Sequence, residues 1–204
     1  MVLLTLLVQH EHMGHAGAKG FVPDRLSIFD HHVAGVLLVL MGVFAFLEQS
    51  RLAKQQKWLN YLYPLPLLGL GIFLIFFRDP EPWFQWMMQG QFDKTEVQHK
   101  LFESIAILVG LIELFRRTGS LQNPAWRQVL NVLMLGGAIF LLFHTGQHTA
   151  VIHWQHRFMG LVAITLSLCK IVYDLGKGAS WLGSYAVPAL MTAFGLQFVF
   201  YFER

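Results

Sequence analysis

The sequence predicts an all-α integral membrane protein: a bundle of six transmembrane helices arranged as three repeated helical hairpins, with both termini outside. Three observations predict this fold. The 204-residue chain is 55% hydrophobic and only 13% charged, whereas a soluble domain carries about 25% charged residues. It contains six apolar stretches of bilayer-spanning length, and these stretches repeat in pairs. Residues 1–26 are predicted to form an extracytoplasmic tail and residues 27–204 the transmembrane domain.

The six stretches each hold roughly 20 mostly apolar residues, the length that an α-helix needs to cross the hydrocarbon core. They cover about 29–48, 58–77, 99–117, 126–145, 156–175 and 181–202. The second stretch contains Pro64 and Pro66, which are expected to kink its helix. Residues 1–8 are apolar but too short to span, so they are expected to lie at the membrane interface.

The loops predict the orientation. One side of the membrane receives basic residues packed into three short loops, and the other side carries basic residues that are spread among most of the acids. The densely basic side is therefore expected to be cytoplasmic. Its basic residues are Arg51, Lys54, Lys57, Arg116, Arg117, Arg127, Lys170 and Lys177. We expect a bacterial inner-membrane protein with a periplasmic histidine-rich face, the lipid bilayer as its surroundings and no nucleic-acid partner.

An internal repeat joins the spans into hairpins. A histidine stands at the outer mouth of the first helix of each hairpin, and a tryptophan opens the second helix at a nearly constant distance along the chain. The pairs are His31 with Trp58, His99 with Trp126, and His156 with Trp181. Matched polar positions, Gln98-His99 and Gln155-His156, strengthen the similarity beyond what apolar residues alone would show.

All ten histidines fall on the outer side of this topology. Seven lie at helix mouths and are predicted to form a metal site, since imidazole binds copper, zinc, iron and nickel. These are His31, His32, His99, His144, His148, His153 and His156. His144 and His148 would share one helix face if the helix continues through Gly146. Interfacial histidines that bind only headgroups and backbone are the structural alternative.

Two acids lie beside this histidine set. Glu103 is one helical turn after His99 and could orient that imidazole, coordinate metal itself, or pair with Lys100 or Arg157. Asp30 precedes His31 and is expected to be a helix N-cap, with a role at the metal as the alternative. On the inner side, Glu48 and Glu113 are expected to form ion pairs with neighbouring basic residues. No buried charge is expected in the inner half of the spans.

The N-terminal tail contains His10, His12, Met13 and His15 within six residues. A flexible His and Met segment of this kind is typical of metal capture. Thioether is a ligand for Cu(I), and the single cysteine, Cys169, excludes a Cys-based zinc or iron–sulfur site. Copper is therefore the favoured metal, with zinc or haem b as alternatives.

The tail and the Asp30-His31-His32 mouth resemble bacterial copper-handling membrane proteins of the CopD copper-resistance type. The resemblance implies a role in copper uptake or tolerance at the periplasmic face. We expect a periplasmic metal carrier or a membrane partner subunit as the partner of this chain. The three-hairpin repeat and the six spans depart from that family.

Three functions remain open from the sequence. The first is binding of a transition metal, most plausibly copper, in transport or homeostasis. The second is a membrane b-type cytochrome, in which His99 with His144 or His156 would bind haem from facing helices. The third is a membrane metalloenzyme, a hydrolase or an oxygenase, with a multi-histidine site and Glu103 as the acid–base group.

Overall fold

The computed structural model describes residues 23–78, 94–143 and 149–204, and the side chains of residues 77, 78, 94–96 and 99 lie outside this description. All regular structure in these ranges is helical. Five helices are long and apolar enough to cross a membrane: Arg25–Glu48, Lys57–Phe76, Ala125–Leu142, Ala150–Asp174 and Leu182–Val199. The predicted all-α class is thus confirmed in the described part of the chain, and five of its helices are compatible with membrane spans.

The first helix, α1 (Arg25–Glu48), begins four residues before the predicted span. Asp24 is its N-cap, and the Asp24 carboxylate accepts hydrogen bonds from the backbone N–H groups of Leu26 and Ser27. Asp30 therefore lies inside the helix, and the predicted N-cap role of Asp30 is wrong. An aspartate cap satisfies helix N–H groups that have no partner within the helix.

The second span is a series of short helical pieces. Ser50 caps α2 (Arg51–Gln55), a 3-10 turn follows at Lys57–Tyr61, and α3 (Leu65–Phe73) continues as a π-helix at Leu74–Arg78. Pro64 is the N-cap of α3 and Pro66 lies in its first turn, so the prolines mark the boundary between the 3-10 turn and α3 within this span. Proline suits the first turn, where backbone N–H groups have no helical partner.

The helix α4 (Lys94–Arg117) has 24 residues, as many as α1. It begins five residues before the predicted span and is not among the five apolar candidates. Its charges are responsible, and three of them are turned into the protein: Lys100, Glu103 and Glu113 are 2%, 3% and 5% exposed.

The remaining helices are α5 (Ala125–Leu142), α6 (Ala150–Asp174) and α7 (Val187–Val199), with a π-helix at Leu182–Ala186 leading into α7. Helix α6 starts six residues before the predicted span because Thr149 caps it. His153 and His156 therefore both lie on the first two turns of α6. Residues 144–148, with His144 and His148, lie outside the described residues.

The long helices close into a ring in which each packs on the next in sequence and α7 packs on α1. Packing is most extensive between α1 and α7, then between α5 and α6, then between α3 and α4. The α1–α7 contact depends on glycines. A Cβ at Gly195 would lie 2.5 Å from the Val39 backbone nitrogen and 2.9 Å from the Gly35 carbonyl oxygen. Only glycine lets the two backbones approach this closely.

Candidate functional site

The ring brings three segments together at one end: the first turns of α1, the first turns of α6, and residues 201–204, which follow α7. We call this the histidine end. The opposite end gathers Glu48, Glu113 and Arg117, and we call it the ion-pair end.

His31 and His156 face each other at the histidine end, and we call them the histidine pair. Their ring centroids are 5.8 Å apart and the ring planes are inclined by 74°. The Nδ1 of His31 donates to the Ser27 carbonyl at 2.7 Å, and the Nδ1 of His156 donates to the Ile152 carbonyl at 2.9 Å. A carbonyl can only accept, so Nδ1 carries a proton, and in the neutral imidazole Nε2 is then the nitrogen with the lone pair. Both imidazoles are thus held in the same tautomer by the same contact one turn back.

Tyr201 packs against both members of the pair. Its ring stacks on His31 with 3.8 Å between centroids and 14° between planes, and it meets His156 edge-on at 5.7 Å. Phe198 lies stacked on His31 as well, at 5.7 Å. Tyr201 is 2% exposed. Burial, together with the neighbouring Glu203 carboxylate, raises the pKa of the Tyr201 phenol above its ordinary value, so this phenol stays protonated at neutral pH.

The backbone of residues 201–204 is hydrogen-bonded to both helices that carry the pair. From α1, the Nε2 of His32 donates to the Tyr201 carbonyl at 3.0 Å. From α6, the Gln155 side chain makes two bonds to Phe202: its Nε2 donates to the Phe202 carbonyl at 2.7 Å, and its Oε1 accepts from the Phe202 N–H at 3.3 Å. These bonds fix the position of Tyr201 between α1 and α6.

Glu203 ties the same segment to the start of the first helix. Its carboxylate accepts a hydrogen bond from the Asp24 backbone N–H at 2.7 Å and another from the Tyr201 hydroxyl at 3.1 Å. Glu203 is 9% exposed. The beginning and the end of the described chain therefore meet at the histidine end.

The other predicted site residues have different positions. His153 is half-buried on α6, Asp30 is half-buried on α1, and Glu103 is buried on α4. His99 lies on α4, but its side chain is outside the description, as are His144, His148 and the tail residues His10, His12, Met13 and His15. In residues 23–78, 94–143 and 149–204, no group of three or more His, Cys, Asp or Glu side chains is placed to hold a metal ion. Of the predicted metal ligands, the described residues bring two imidazoles together, those of the histidine pair.

The ion-pair end is organised around one arginine. Arg117 bonds to Glu48 on α1, to Glu113 one turn back at 2.7 Å, and to the Asn60 carbonyl. Its guanidinium also lies 4.6 Å from the centroid of the buried Tyr63 ring. The predicted ion pairs of Glu48 and Glu113 are confirmed.

The expectation of no buried charge on the inner side is wrong, since Glu113 is only 5% exposed. A second cluster of buried polar side chains at this end joins α5 and α6. Asn131, 1% exposed, donates to Asp174 at 3.1 Å, and Lys170 donates to Asp174 at 2.6 Å. Each of these carboxylates has a partner, because a buried charge without one is costly.

Three residues at the histidine end were missed from the sequence as members of the site: Tyr201, Glu203 and Gln155. Gln155 carried a signal, since it precedes His156 as Gln98 precedes His99. Tyr201 and Glu203 carried none, because their contacts join residues that are 169 and 179 positions apart in the sequence.

Comparison with protein-family models, with curated proteins and with solved structures finds no match for this chain. Its function has to be inferred from the residues of the two ends.

Proposed function

We propose that this is a six-span inner-membrane protein that binds a transition metal, copper above all, at its periplasmic face, in metal transport or homeostasis. The observation that carries the proposal is the histidine pair. Two imidazoles from helices distant in sequence meet with the same tautomer, each with Nε2 as the nitrogen that a metal would bind.

The spacing of the pair supports a shared ion. Metal–imidazole bonds are about 2.0–2.1 Å long, so two rings on one ion have centroids on the order of 5–6 Å apart. The observed separation is 5.8 Å. Histidine ligands commonly donate their other N–H to a backbone carbonyl, which orients the ring. Both members of the pair make this bond.

Further ligands would come from the other helix-mouth histidines. His153 lies one turn before His156 on α6. His99, near the start of α4, and His144 and His148, which stand between α5 and α6 in the chain, would join it at this end if the predicted topology holds. His32 would bind metal through Nδ1, since its Nε2 donates to Tyr201. The tail residues His10, His12, Met13 and His15 would capture copper and deliver it to the pair.

The six-span topology has two supports. The hydrogen bond between Asp24 and Glu203 joins the start of the first helix to the residues after the last one, and this requires an even number of crossings. The buried Lys100, Glu103 and Glu113 let α4 cross with its charges turned away from lipid. The basic loops then lie at the ion-pair end, which would be cytoplasmic.

Tyr201 favours a bare ion over the alternatives. It covers the face of His31 and touches the edge of His156 while both Tyr201 and His156 are buried. A porphyrin between the rings, or an organic substrate beside them, would have to displace Tyr201. Copper fits the imidazole ligands and the thioether of Met13. A periplasmic metal carrier or a membrane partner subunit would exchange the ion.

The test is elemental analysis and an absorption spectrum of the full chain, purified in detergent without added metal. We expect bound copper and no Soret band. His31→Ala and His156→Ala should each weaken copper binding by roughly 100-fold or more, since even the groups that orient a ligand contribute 10- to 100-fold. Arg157→Ala, at the exposed position after His156, is the control and should bind copper normally. A wild-type protein without metal, or unchanged copper in both histidine variants, would refute the proposal. A Soret band would identify haem instead.

A further inference from the structure

Tyr201 is the middle one of three consecutive aromatic residues that differ strongly in exposure. Phe200 and Phe202 are 72% and 43% exposed, whereas Tyr201 is 2% exposed. Apolar burial alone would not select the one ring that carries a hydroxyl. The selection comes from the bonds of the segment, which turn the Tyr201 ring inward onto the histidine pair.

The anchors of the segment come from the two helices that carry the pair. His32 follows His31 on α1, and Gln155 precedes His156 on α6, so each ligand candidate has an anchoring neighbour in sequence. Each anchor bonds to the segment backbone. The segment therefore bridges α1 and α6 at the level of the pair, and any shift of one helix against the other would strain these bonds.

The Tyr201 ring restrains His31 in a way that backbone bonds alone do not. The Nδ1 bond to Ser27 fixes one edge of the imidazole, and stacking on Tyr201 fixes the plane of the ring. With the edge and the plane both fixed, the direction of the Nε2 lone pair is set before any ion arrives. The Tyr201 hydroxyl, bonded to Glu203, holds the stacking ring in place.

We propose that Tyr201 is a positioning residue for the histidine pair. We also propose that residues 201–203 cover His31 and His156 and slow the access of reagents and ions to them. The first part rests on the proposed metal function. The cover can be tested without metal, so failure of one is distinguishable from failure of the other.

The metal arm compares Tyr201→Ala, Tyr201→Phe and Phe200→Ala as copper-loaded full-length proteins in detergent. Transfer of copper to a Cu(I) chelator should be on the order of 10- to 100-fold faster in Tyr201→Ala, the range for removal of a group that orients a ligand. Tyr201→Phe keeps the stacking ring and should recover most of the wild-type rate. Phe200→Ala removes an exposed aromatic ring from the same segment and should match wild type. A role in stability alone would lower the melting temperature of Tyr201→Ala without changing the release rate at lower temperature.

The metal-free arm measures modification of individual histidines by diethyl pyrocarbonate, read by peptide mass spectrometry. Tyr201→Ala should speed modification of both His31 and His156 several-fold, and Phe200→Ala should not. Gln155→Ala keeps the Tyr201 ring but loosens the cover, so it should show the same trend if Tyr201→Ala folds poorly. Faster modification in a protein that binds no metal would support the cover and refute positioning of a metal site. Unchanged modification and unchanged chelator rates would overturn the whole inference while leaving copper binding intact.

Discussion

The two ends of the bundle hold its helices together with different chemistry. Each joins helices that are distant in sequence: His32 bonds to a residue 169 positions away, and Arg117 bonds to a residue 69 positions away. The ion-pair end does so with opposite charges that neutralise each other. The histidine end does so with neutral rings, backbone carbonyls and one carboxylate.

The two ends also differ in how their polar groups are bonded, and this bears on where the proposed metal site would lie. At the ion-pair end the carboxylates Glu48 and Glu113 accept from arginine, so the binding capacity of these groups is used within the protein. At the histidine end, hydrogen bonds from Nδ1 to backbone carbonyls orient the two imidazoles, and His32 and Gln155 hold the segment that packs on them. In a structural cluster the charged groups bond to one another. In a binding site, hydrogen bonds at the non-ligating atoms of a side chain orient its ligating atom.

The largest effect is expected from Arg117→Met at the ion-pair end. Glu48 then loses its arginine partner, while Glu113 keeps its ion pair with Arg116. Removal of one member of a fully buried pair costs about 3–5 kcal/mol, and this half-buried pair should approach the lower figure. We expect low folded yield and a much lower melting temperature in detergent, with unchanged copper content per folded molecule. Arg127→Met, on the exposed surface of α5, is the control. A melting temperature like that of the control would show that the two ends do not differ as described.

A smaller effect is expected from Gly195→Ala, which acts between the two ends. The added Cβ would meet the backbones of Val39 and Gly35, and such overpacking costs about 1–3 kcal/mol. Because α7 leads into Tyr201, the histidine end should loosen too, which faster modification of His156 would report. Gly136→Ala is the matched control, since its Cβ meets nothing within 4 Å. It should be neutral or slightly stabilising by thermal melting, and equal melting of both variants would contradict the close α1–α7 contact.

The smallest effect is the coupling between the ends. Gln155→Ala loses two hydrogen bonds to Phe202, worth about 0.5–1.5 kcal/mol each. Combined with Arg117→Met its cost should add within about 0.3–0.5 kcal/mol, as for independent sites. Combined with Tyr201→Ala, at the same end, it should deviate from additivity by more than this. Double-mutant cycles from unfolding measurements test both expectations. Non-additivity between Gln155→Ala and Arg117→Met would contradict the independence of the two ends.

The sequence predicted the helices well because each apolar stretch is a local signal. The errors lie at helix starts, where a polar first turn, such as residues 94–96 of α4, was left outside the predicted span. The sequence also did not show that the second span divides into short helical pieces, with Pro64 and Pro66 at the start of α3. The predicted pairs of Glu48 and Glu113 followed from nearby basic loops, but their shared use of Arg117 depends on the tertiary arrangement that brings the ends of α1 and α4 together.

The candidate site was predictable only in part. The repeat placed His31 and His156 at equivalent mouths of different hairpins, and the ring of helices sets these two side chains against each other. Nothing local in residues 201–204 indicated that Tyr201 would stack on His31. That contact depends on closure of the ring by α1 and α7, and periodicity along one helix carries no information about such closure.

The meeting of the first and last helices has a consequence in time. A ribosome adds roughly 5–20 residues per second, so on the order of 10–30 s separate the synthesis of His32 from that of Tyr201, its partner 169 residues later. Until α7 enters the membrane, His31 has neither Tyr201 nor the packing of α7 to fix it. The stacking of Tyr201 on His31 can therefore form only after α7 has been made, so His31 lacks this contact for most of that interval.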